Sequence, residues 1–320
     1  MKLLVIGGGR FFGAALVDQA LAAGHEVTVL QRGETSRSVP AGVEYLQGDR
    51  DGEGLQLLKG REFDAVVDTC GYFPRVVRAS AELLAGSVGR YLFISSVSAY
   101  APSGGVVYSE GMPVATWDGD VEEITGDSYG GFKAQCEAVV AEVFGKDGVI
   151  VRPGLIVGPN DPTERFPYWP RRLAEGGQVL IPIGPDHPIQ VIDARDLAAF
   201  ALRCIADSRT GVVNAIAPPE TFGALLDANS FGAEPIWASE EWLLAHDVEP
   251  WTGMPLWTPA GDDLIADATR ALEWGLTPRP LHETSADTLA WDRERGFPPQ
   301  PGTLTREREA ELVAEITGMS

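Results

Sequence analysis

Cysteine and histidine are scarce in this chain. Its 320 residues include three cysteines, Cys70, Cys136 and Cys204, and four histidines. The cysteines are widely spaced and form no CxxC pair or Cys/His cluster, which argues against a metal site and against a disulfide framework. This composition is typical of reduced thiols, and we expect a cytoplasmic protein without a bound metal.

Long hydrophobic runs and an excess of basic residues are also missing. The chain has no apolar run of the roughly 18 residues that a transmembrane helix needs, so we expect no membrane partner. It has 25 Lys and Arg residues against 46 Asp and Glu residues, a formal net charge of -21. Because an acidic surface repels phosphate backbones, we also expect no nucleic-acid partner.

Short apolar runs alternate with helical patterns over the first two-thirds of the chain. We predict strands at 2–6, 26–30, 43–47, 65–68, 90–95, 149–152 and 212–215, and helices at 11–23, 74–84, 129–144 and 192–206. Continuous Val, Ile and Leu runs are typical of strands covered on both faces. The alternation therefore predicts an α/β fold with a doubly wound parallel sheet, the Rossmann fold.

The composition changes after residue 152, where proline, glycine and tryptophan become frequent. We expect residues 1–158 and 189–216 to form a dinucleotide-binding domain, and residues 159–188 and 217–320 to form a smaller substrate-binding lobe. Seven tryptophans lie between positions 169 and 291. They could form an aromatic substrate wall, but we favour a core role for most of them.

A glycine-rich turn links the first predicted strand to the first helix. Gly7, Gly9 and Gly13 allow a tight turn and close approach of a pyrophosphate, which the helix N-terminus would bind. Arg10 holds the middle glycine place of GxxGxxG. The alternative is a structural joint without a ligand. The residues expected at the dinucleotide are Gly7, Gly9, Arg10, Phe11, Phe12 and Gly13.

The end of the second strand bears on the choice of cofactor. An acidic residue there would bind the two ribose hydroxyls of NAD, but the sequence has Gln31 followed by Arg32. With Arg10 nearby, two guanidinium groups would favour a 2′-phosphate, so we expect NADP(H) over NAD(H). Alternatively, Arg32 is only exposed and Arg10 pairs with an acidic neighbour. Asp49 and Arg50 would reach the adenine edge or form a polar turn.

Three side chains form a candidate catalytic set. Ser96 follows the fifth strand, at the edge where ligands bind in such folds. Tyr129 and Lys133 are four residues apart and share one face of a helix. A nearby cation favours the phenolate, so Tyr129 could exchange a proton with a substrate hydroxyl or carbonyl while Ser96 holds the same oxygen. The alternative for Tyr129 is an ordinary interface tyrosine.

These motifs resemble the extended or atypical short-chain dehydrogenase/reductase superfamily, in its NAD-dependent epimerase/dehydratase group. The motifs that carry the resemblance are GGGRFFG at 7–13, SSVSAY at 95–100, YGGFK at 129–133, RPGLIVGP at 152–159 and DARDLA at 193–198. The resemblance implies that Ser96, Tyr129 and Lys133 are catalytic. It also implies that the backbone around Pro153 and Ile156 contacts the nicotinamide, and that Tyr129 and Lys133 contact the cofactor.

Further contacts are expected within the same scheme. We assign Cys70 to the cofactor site and Tyr72, Ser98, Arg165 and Trp169 to the substrate site. Segment 163–172 could supply anion contacts or form a solvated basic helix face. Relatives that act on sugar nucleotides usually have Asn where this chain has Leu155 and Arg where it has Ile189. Both departures argue against a UDP- or dTDP-sugar substrate.

The main hypothesis is hydride transfer between NADP(H) and a hydroxyl or carbonyl carbon of a small molecule, with Tyr129 as acid/base. A second is epimerisation or dehydration of a sugar or sugar nucleotide with retained NAD. A third is a non-catalytic nucleotide-sensing or RNA-associated protein, which the charge of -21 opposes.

The Tyr129 helix also offers a candidate homodimer interface. Val139, Val140 and Val143 could lie at that interface, or they could pack inward against the core.

Overall fold

The computed structural model describes residues 1–33, 40–119, 122–229, 232–259 and 265–318. These residues form two compact units. The first comprises Met1–Ile156, Ala194–Ala217 and Ala266–Pro278, and the second comprises Val157–Asp193, Pro218–Ile265 and Arg279–Ser320, apart from the gaps just given. Which unit binds which ligand remains a prediction.

The described residues contain thirteen strands and ten α-helices. The strands are β1 (Lys2–Ile6), β2 (Glu26–Gln31), β3 (Val43–Gln47), β4 (Ala65–Asp68), β5 (Tyr91–Ile94), β6 (Gly148–Pro153), β7 (Leu155–Val157), β8 (Gly177–Ile181), β9 (Pro188–Ile189), β10 (Val191–Asp193), β11 (Gly211–Ala215), β12 (Glu220–Thr221) and β13 (Ala233–Trp237). The helices are α1 (Phe11–Ala22), α2 (Pro74–Leu84), α3 (Gly126–Phe144), α4 (Tyr168–Ala174), α5 (Ala194–Ala206), α6 (Phe222–Ala228), α7 (Glu240–Ala245), α8 (Thr269–Glu273), α9 (Leu281–Glu294) and α10 (Arg306–Thr317).

The first unit is built on a seven-stranded sheet in the order β3-β2-β1-β4-β5-β6-β11. Every pairing within this sheet is parallel. Helix α1 packs against α5, and α2 packs against α3. The predicted doubly wound Rossmann fold is confirmed, and β1, β3, β4 and α2 have the predicted bounds.

Two helices begin at residues other than those predicted. Helix α3 begins at Gly126, ahead of the predicted start at 129, because Thr125 and Ser128 form a capping box. Helix α5 begins at Ala194, so the predicted start at 192 was wrong. Residues 192 and 193 belong to β10, where the Asp193 carboxylate accepts a hydrogen bond of 3.0 Å from Thr284.

The core between the sheet and helices α2 and α3 is apolar. Val139 and Val140 of α3 are 4% and 0% exposed and pack there with strand residues such as Ile6 and Phe93. Val143 is partly buried against the same cluster. The inward alternative therefore describes these valines, and homodimer formation remains a prediction.

A buried charged cluster lies beside this core. Arg50 donates hydrogen bonds to both carboxylate oxygens of Asp68, at 2.5 and 2.8 Å, and Tyr91 donates one at 2.7 Å. Arg50 also donates to the Ser80 hydroxyl at 2.5 Å. Burial opposes the Asp68 carboxylate, but the charge and hydrogen bonds of Arg50 keep the pKa of Asp68 below its usual value. The cluster joins β4, β5, α2 and the turn after β3.

The second unit has its own small core. Strand β8 pairs with β13 in parallel, and β9 pairs with β12 in antiparallel fashion. Trp169 and Trp257 are fully buried, Trp237 is 40% exposed, and Trp242, Trp251 and Trp291 are partly exposed. Trp274 lies in the first unit and is also partly exposed. The interpretation that most of the seven fill a core was therefore too broad. Within the described residues, no helix is long and apolar enough to cross a membrane.

We predict that Asp68→Ala lowers the free energy of unfolding by about 3–5 kcal/mol at neutral pH, because it leaves the Arg50 charge buried and unpaired. Urea denaturation measures this difference. The folded-state pKa of Asp68 is depressed, so its contribution is fully present above the unfolded-state pKa of about 4 and decreases as the pH falls from there through the lower folded-state pKa. Wild type and variant should converge only below that folded-state pKa.

The control is Glu142→Ala, which removes a surface partner of Arg78. Their side chains are 65% and 39% exposed and 2.7 Å apart. Loss of such a pair costs about 0–1 kcal/mol. Equal unfolding midpoints for Asp68→Ala and Glu142→Ala would contradict the role given to the buried cluster.

Candidate functional site

Parallel pairing places the carboxyl ends of β1, β4, β5 and β6 at one edge of the sheet, where ligands bind in open α/β folds. The ends of β1 and β4 are in direct contact. The Thr69 hydroxyl donates to the carbonyl oxygens of Ile6 and Gly7, at 2.9 and 3.1 Å. The predicted site residues are therefore expected to lie along this edge.

The glycine turn has the backbone that a pyrophosphate requires. Gly7 has a φ of 94°, which favours glycine, and a Cβ on Gly13 would overlap the carbonyl oxygen of Gly7. Helix α1 starts at Phe11, and the Arg10 side chain at its N-cap makes no capping hydrogen bond. The first N–H groups of α1 therefore have no side-chain cap from Arg10 and suit an anion.

The other predicted residues of this turn differ in exposure. Arg10 is exposed, Gly9 and Phe11 are partly exposed, and Phe12 is 5% exposed. The Phe12 side chain belongs to the core, so only its backbone could meet a ligand. Phe11 has a φ of 43°, a strained value for a bulky residue, which fits a constrained turn.

The end of β2 lies next to the glycine turn, because the Gly7 N–H donates to the Leu30 carbonyl at 3.0 Å. Gln31, the last residue of β2, is partly exposed, and Arg32 is exposed. Asp49 is exposed and accepts a hydrogen bond of 2.9 Å from the Asp51 N–H. This is the polar-turn alternative for Asp49.

The Arg50 side chain points into the protein interior and not to the exposed surface near the end of β2. Its guanidinium is bonded to Asp68 and Ser80, and the residue is 9% exposed. Cys70 borders the glycine turn, with Sγ 3.6 Å from the Ile6 carbonyl oxygen. Burial raises the pKa of the Cys70 thiol, so the neutral form is favoured.

Lys133 lies at the centre of this edge. Its ammonium donates to the carbonyl oxygen of Gly71, just after β4, at 2.9 Å and to that of Ile94, the last residue of β5, at 2.8 Å. The residue is 3% exposed, and burial lowers its pKa. The ring centroids of Tyr72 and Phe93 lie 5.2 and 4.7 Å from Nζ. The lysine thus joins α3 to two strand ends.

Ser96 lies where β5 leads into the short 3-10 helix Val97–Ala99. Its hydroxyl accepts a hydrogen bond of 3.0 Å from the Ser98 N–H, and Ser96 is 9% exposed. Helix α3 comes very close here, since a Cβ on Gly130 would overlap the Ser98 carbonyl oxygen. Tyr129, the neighbour of Gly130, is partly exposed.

Tyr129 lies close enough to Tyr72 to influence its phenol. Loss of water around the Tyr72 hydroxyl, together with the proximity of Tyr129, raises the pKa of Tyr72 to about 12. Residue Tyr72 is nevertheless 45% exposed. The structure therefore brings Tyr72, Ser98, Lys133 and Tyr129 to the same edge as the glycine turn.

Glu137 is a residue that sequence reasoning missed. It is 5% exposed and accepts hydrogen bonds from Ser95 Oγ at 2.5 Å and from Arg152 Nε at 2.8 Å. The sequence did contain an indication of it, because Glu137 follows Lys133 by one helical turn and so lies on the same helix face. Glu137 holds the residues that precede Ser96 and Pro153. Pro153 is buried at the end of β6, and Ile156 in β7 is partly exposed.

Two predicted substrate residues belong to the second unit. Arg165 donates through Nε to the Thr163 hydroxyl at 3.0 Å, and its guanidinium lies 5.8 Å from the Trp251 ring centroid. Trp169 is 0% exposed and donates its indole N–H to the Pro255 carbonyl at 2.6 Å. Trp169 has the environment of a core residue. The described residues contain no group of three or more His, Cys, Asp or Glu side chains placed to hold a metal ion.

Known proteins share the fold but not a close sequence relationship. No protein-family model matches the chain, and no curated protein matches it. The enzyme WbmH of Bordetella bronchiseptica, solved with NAD+, has a TM-score of 0.69 at 18% identity, covering 92% of this chain and 99% of its own. A putative epimerase of Burkholderia cenocepacia J2315 has a TM-score of 0.70 at 18% identity, covering 92% and 98%.

A third structure is the UDP-glucose 4-epimerase of Thermotoga maritima, solved with UDP-glucose. It has a TM-score of 0.68 at 17% identity, covering 92% of this chain and 99% of its own. At these identities the likeness concerns the fold. The fold expected from the resemblance to extended short-chain dehydrogenase/reductases is thereby confirmed.

We predict that Gly130→Ala disturbs the contact between α3 and the end of β5, because the added methyl group overlaps the Ser98 carbonyl oxygen. Overpacking of this kind costs about 1–3 kcal/mol, measured as a lower free energy of unfolding in urea. Gly126→Ala is the matched control on the same helix face, where an added Cβ meets nothing within 4 Å. It should be neutral or stabilising by up to about 1 kcal/mol. A Gly130→Ala variant as stable as Gly126→Ala would refute the close contact.

Proposed function

We propose that this protein is an NAD-dependent enzyme of the epimerase/dehydratase type, acting at a hydroxyl or carbonyl carbon of a sugar-like small molecule. The carrying observation is the pair of hydrogen bonds from Lys133 to Gly71 and Ile94. They place the Tyr129 helix beside both the glycine turn and the Ser96 strand end. Membership of the extended short-chain dehydrogenase/reductase superfamily is part of this proposal.

The residues present fit a dinucleotide. The glycine turn and the open N-terminus of α1 would hold its pyrophosphate, with Gly7 and Gly13 giving the close approach. Gln31 at the end of β2 would face the adenosine ribose, and the backbone from Pro153 to Ile156 the nicotinamide. When bound, the nicotinamide supplies the hydride acceptor and donor.

The catalytic roles follow from the side chains at this edge. The Tyr129 phenolate would accept a proton from the substrate hydroxyl as the carbon is oxidised, and the resulting phenol would return that proton when the carbonyl is reduced. The Ser96 hydroxyl donates a hydrogen bond to the same oxygen. Lys133 favours the phenolate of Tyr129 through its positive charge. Glu137 holds Ser95 and Arg152, and so positions the strand ends around the reacting group.

The fold comparisons favour transient oxidation over net oxidation or reduction. Two of the three similar structures carry the word epimerase in their names, and one of them contains UDP-glucose. This supports the epimerase/dehydratase alternative more than the net oxidoreductase expected first. Leu155 and Ile189, which replace polar residues of sugar-nucleotide relatives, still argue for testing free sugars beside nucleotide-linked ones.

The cofactor we propose is NAD(H), in place of the NADP(H) expected from Gln31, Arg10 and Arg32. The support is the NAD+ complex of a protein with the same fold. We predict that titration calorimetry gives at least tenfold tighter binding of NAD+ than of NADP+. Tighter binding of NADP+ would restore the arginines as 2′-phosphate ligands, and binding of neither dinucleotide would end the proposed function.

We predict that Tyr129→Phe binds NAD+ within about threefold of wild type and loses about 10²–10⁴ of turnover, because it keeps the ring and loses the acid/base group. Turnover is followed by product analysis on a panel of sugars and nucleotide-linked sugars. Tyr45→Phe, which removes a phenol hydroxyl from β3, should leave turnover within about twofold. Full turnover in Tyr129→Phe would remove Tyr129 from the mechanism.

A further inference from the structure

Two carbonyl groups and two aromatic rings near the Lys133 ammonium differ in their exposure. The carbonyl oxygens of Gly71 and Ile94 accept its hydrogen bonds, and the rings of Tyr72 and Phe93 flank it. Gly71 is buried, Ile94 is 4% exposed and Phe93 is 0% exposed, whereas Tyr72 is 45% exposed. Of these four groups, Tyr72 is therefore the one that separates the ammonium from the surface.

The backbone holds Tyr72 in this place. Its predecessor Gly71 has no room for a side chain, because a Cβ there would lie 2.5 Å from Phe93 Cε2 and 2.6 Å from Val77 Cγ2. The Gly71 carbonyl is bonded to Lys133, and helix α2 starts at Pro74. Because the backbone is fixed on both sides of Tyr72, by the Gly71 contacts and by the start of α2, the residue has little freedom to move away from Lys133.

We propose that Tyr72 is a positioning residue of the candidate site, whose ring covers the Lys133 ammonium and controls which ligand group reaches it. This inference rests on the proposed function. An aromatic face attracts a cation, and a ring that excludes water strengthens the action of the lysine charge on its neighbours. The exposed side of the ring offers a ligand a flat apolar surface.

The chain permits a direct test, because its only lysines are Lys2, Lys59, Lys133 and Lys146. Lys59 and Lys146 are exposed, and Lys133 is 3% exposed. Reductive methylation with formaldehyde and cyanoborohydride, followed by peptide mass spectrometry, gives a rate for each lysine. In wild type, Lys133 should react at least tenfold more slowly than Lys59.

Variants at position 72 separate the ring from its hydroxyl. Tyr72→Phe keeps the ring and should preserve the protection of Lys133, whereas Tyr72→Ala should raise its methylation rate at least tenfold. Phe297→Ala is the matched control, because Phe297 is 40% exposed and its ring centroid lies 5.0 Å from the Arg171 guanidinium carbon in the second unit. It should leave the Lys133 rate unchanged.

Unfolding is monitored on the same helix. Cys136 is 0% exposed and stays unlabelled by iodoacetamide while α3 is folded. If Tyr72→Ala exposes Cys136, Tyr72→Val replaces it, since valine keeps an apolar stem without a ring. Equal Lys133 rates in wild type and in the folded ring-less variant would overturn the inference, as would a Lys133 in wild type that reacts as fast as Lys59.

A second experiment tests whether the Tyr72 ring controls the access of a ligand to Lys133. Saturating NAD+ should lower the Lys133 methylation rate of Tyr72→Ala at least fivefold, because the dinucleotide then covers the ammonium that the ring has uncovered. Failure of NAD+ to protect Lys133, in a variant that binds NAD+, would overturn control of ligand access by Tyr72. If wild type itself binds no NAD+, the proposed function fails. The methylation rates still measure whether the Tyr72 ring shields the Lys133 ammonium.

Discussion

Two hydrogen bonds from one ammonium organise the candidate site. Lys133 reaches from α3 to the carbonyl oxygens of Gly71 and Ile94, and so ties the helix to the ends of two neighbouring strands. A buried cation without such partners would cost several kcal/mol, so the lysine and its two acceptors depend on one another. The positions of Tyr129, Ser96 and Tyr72 depend on this junction. Tyr72 follows Gly71, Ser96 is two residues after Ile94, and Tyr129 is one helical turn before Lys133.

Two buried ion pairs stabilise the same edge of the sheet. Asp68 with Arg50 joins the end of β4 to the turn after β3, and Glu137 with Arg152 joins α3 to the end of β6. Such pairs contribute little net stability, since desolvation offsets most of the attraction, but removing one partner is costly. Their value here is geometric. They hold the strand ends that line the candidate site in fixed positions, while the apolar core supplies most of the stability.

Prediction from sequence was accurate where the signal is local, and it did not foresee environments that a distant partner decides. The bounds of β1 and β4 follow from short apolar runs. Arg50 was expected at the adenine edge because it follows a strand, but the buried Asp68 draws its guanidinium inward. Trp169 was expected at a substrate, yet its indole is enclosed and bonded to Pro255, 86 residues away. Neither partner can be recognised from the residues nearby in sequence.

The sequence by itself determined the parallel sheet, the glycine turn and the spacing of Tyr129 and Lys133 on one helix face. Continuous apolar runs, closely spaced glycines and the 3.6-residue helical period are all local features of the chain. The tertiary structure alone decided what the Lys133 ammonium touches. Gly71 and Ile94 are 62 and 39 residues from it in sequence. They meet it because strand order and helix packing bring them together, and those depend on burial of the whole apolar surface rather than on any one segment.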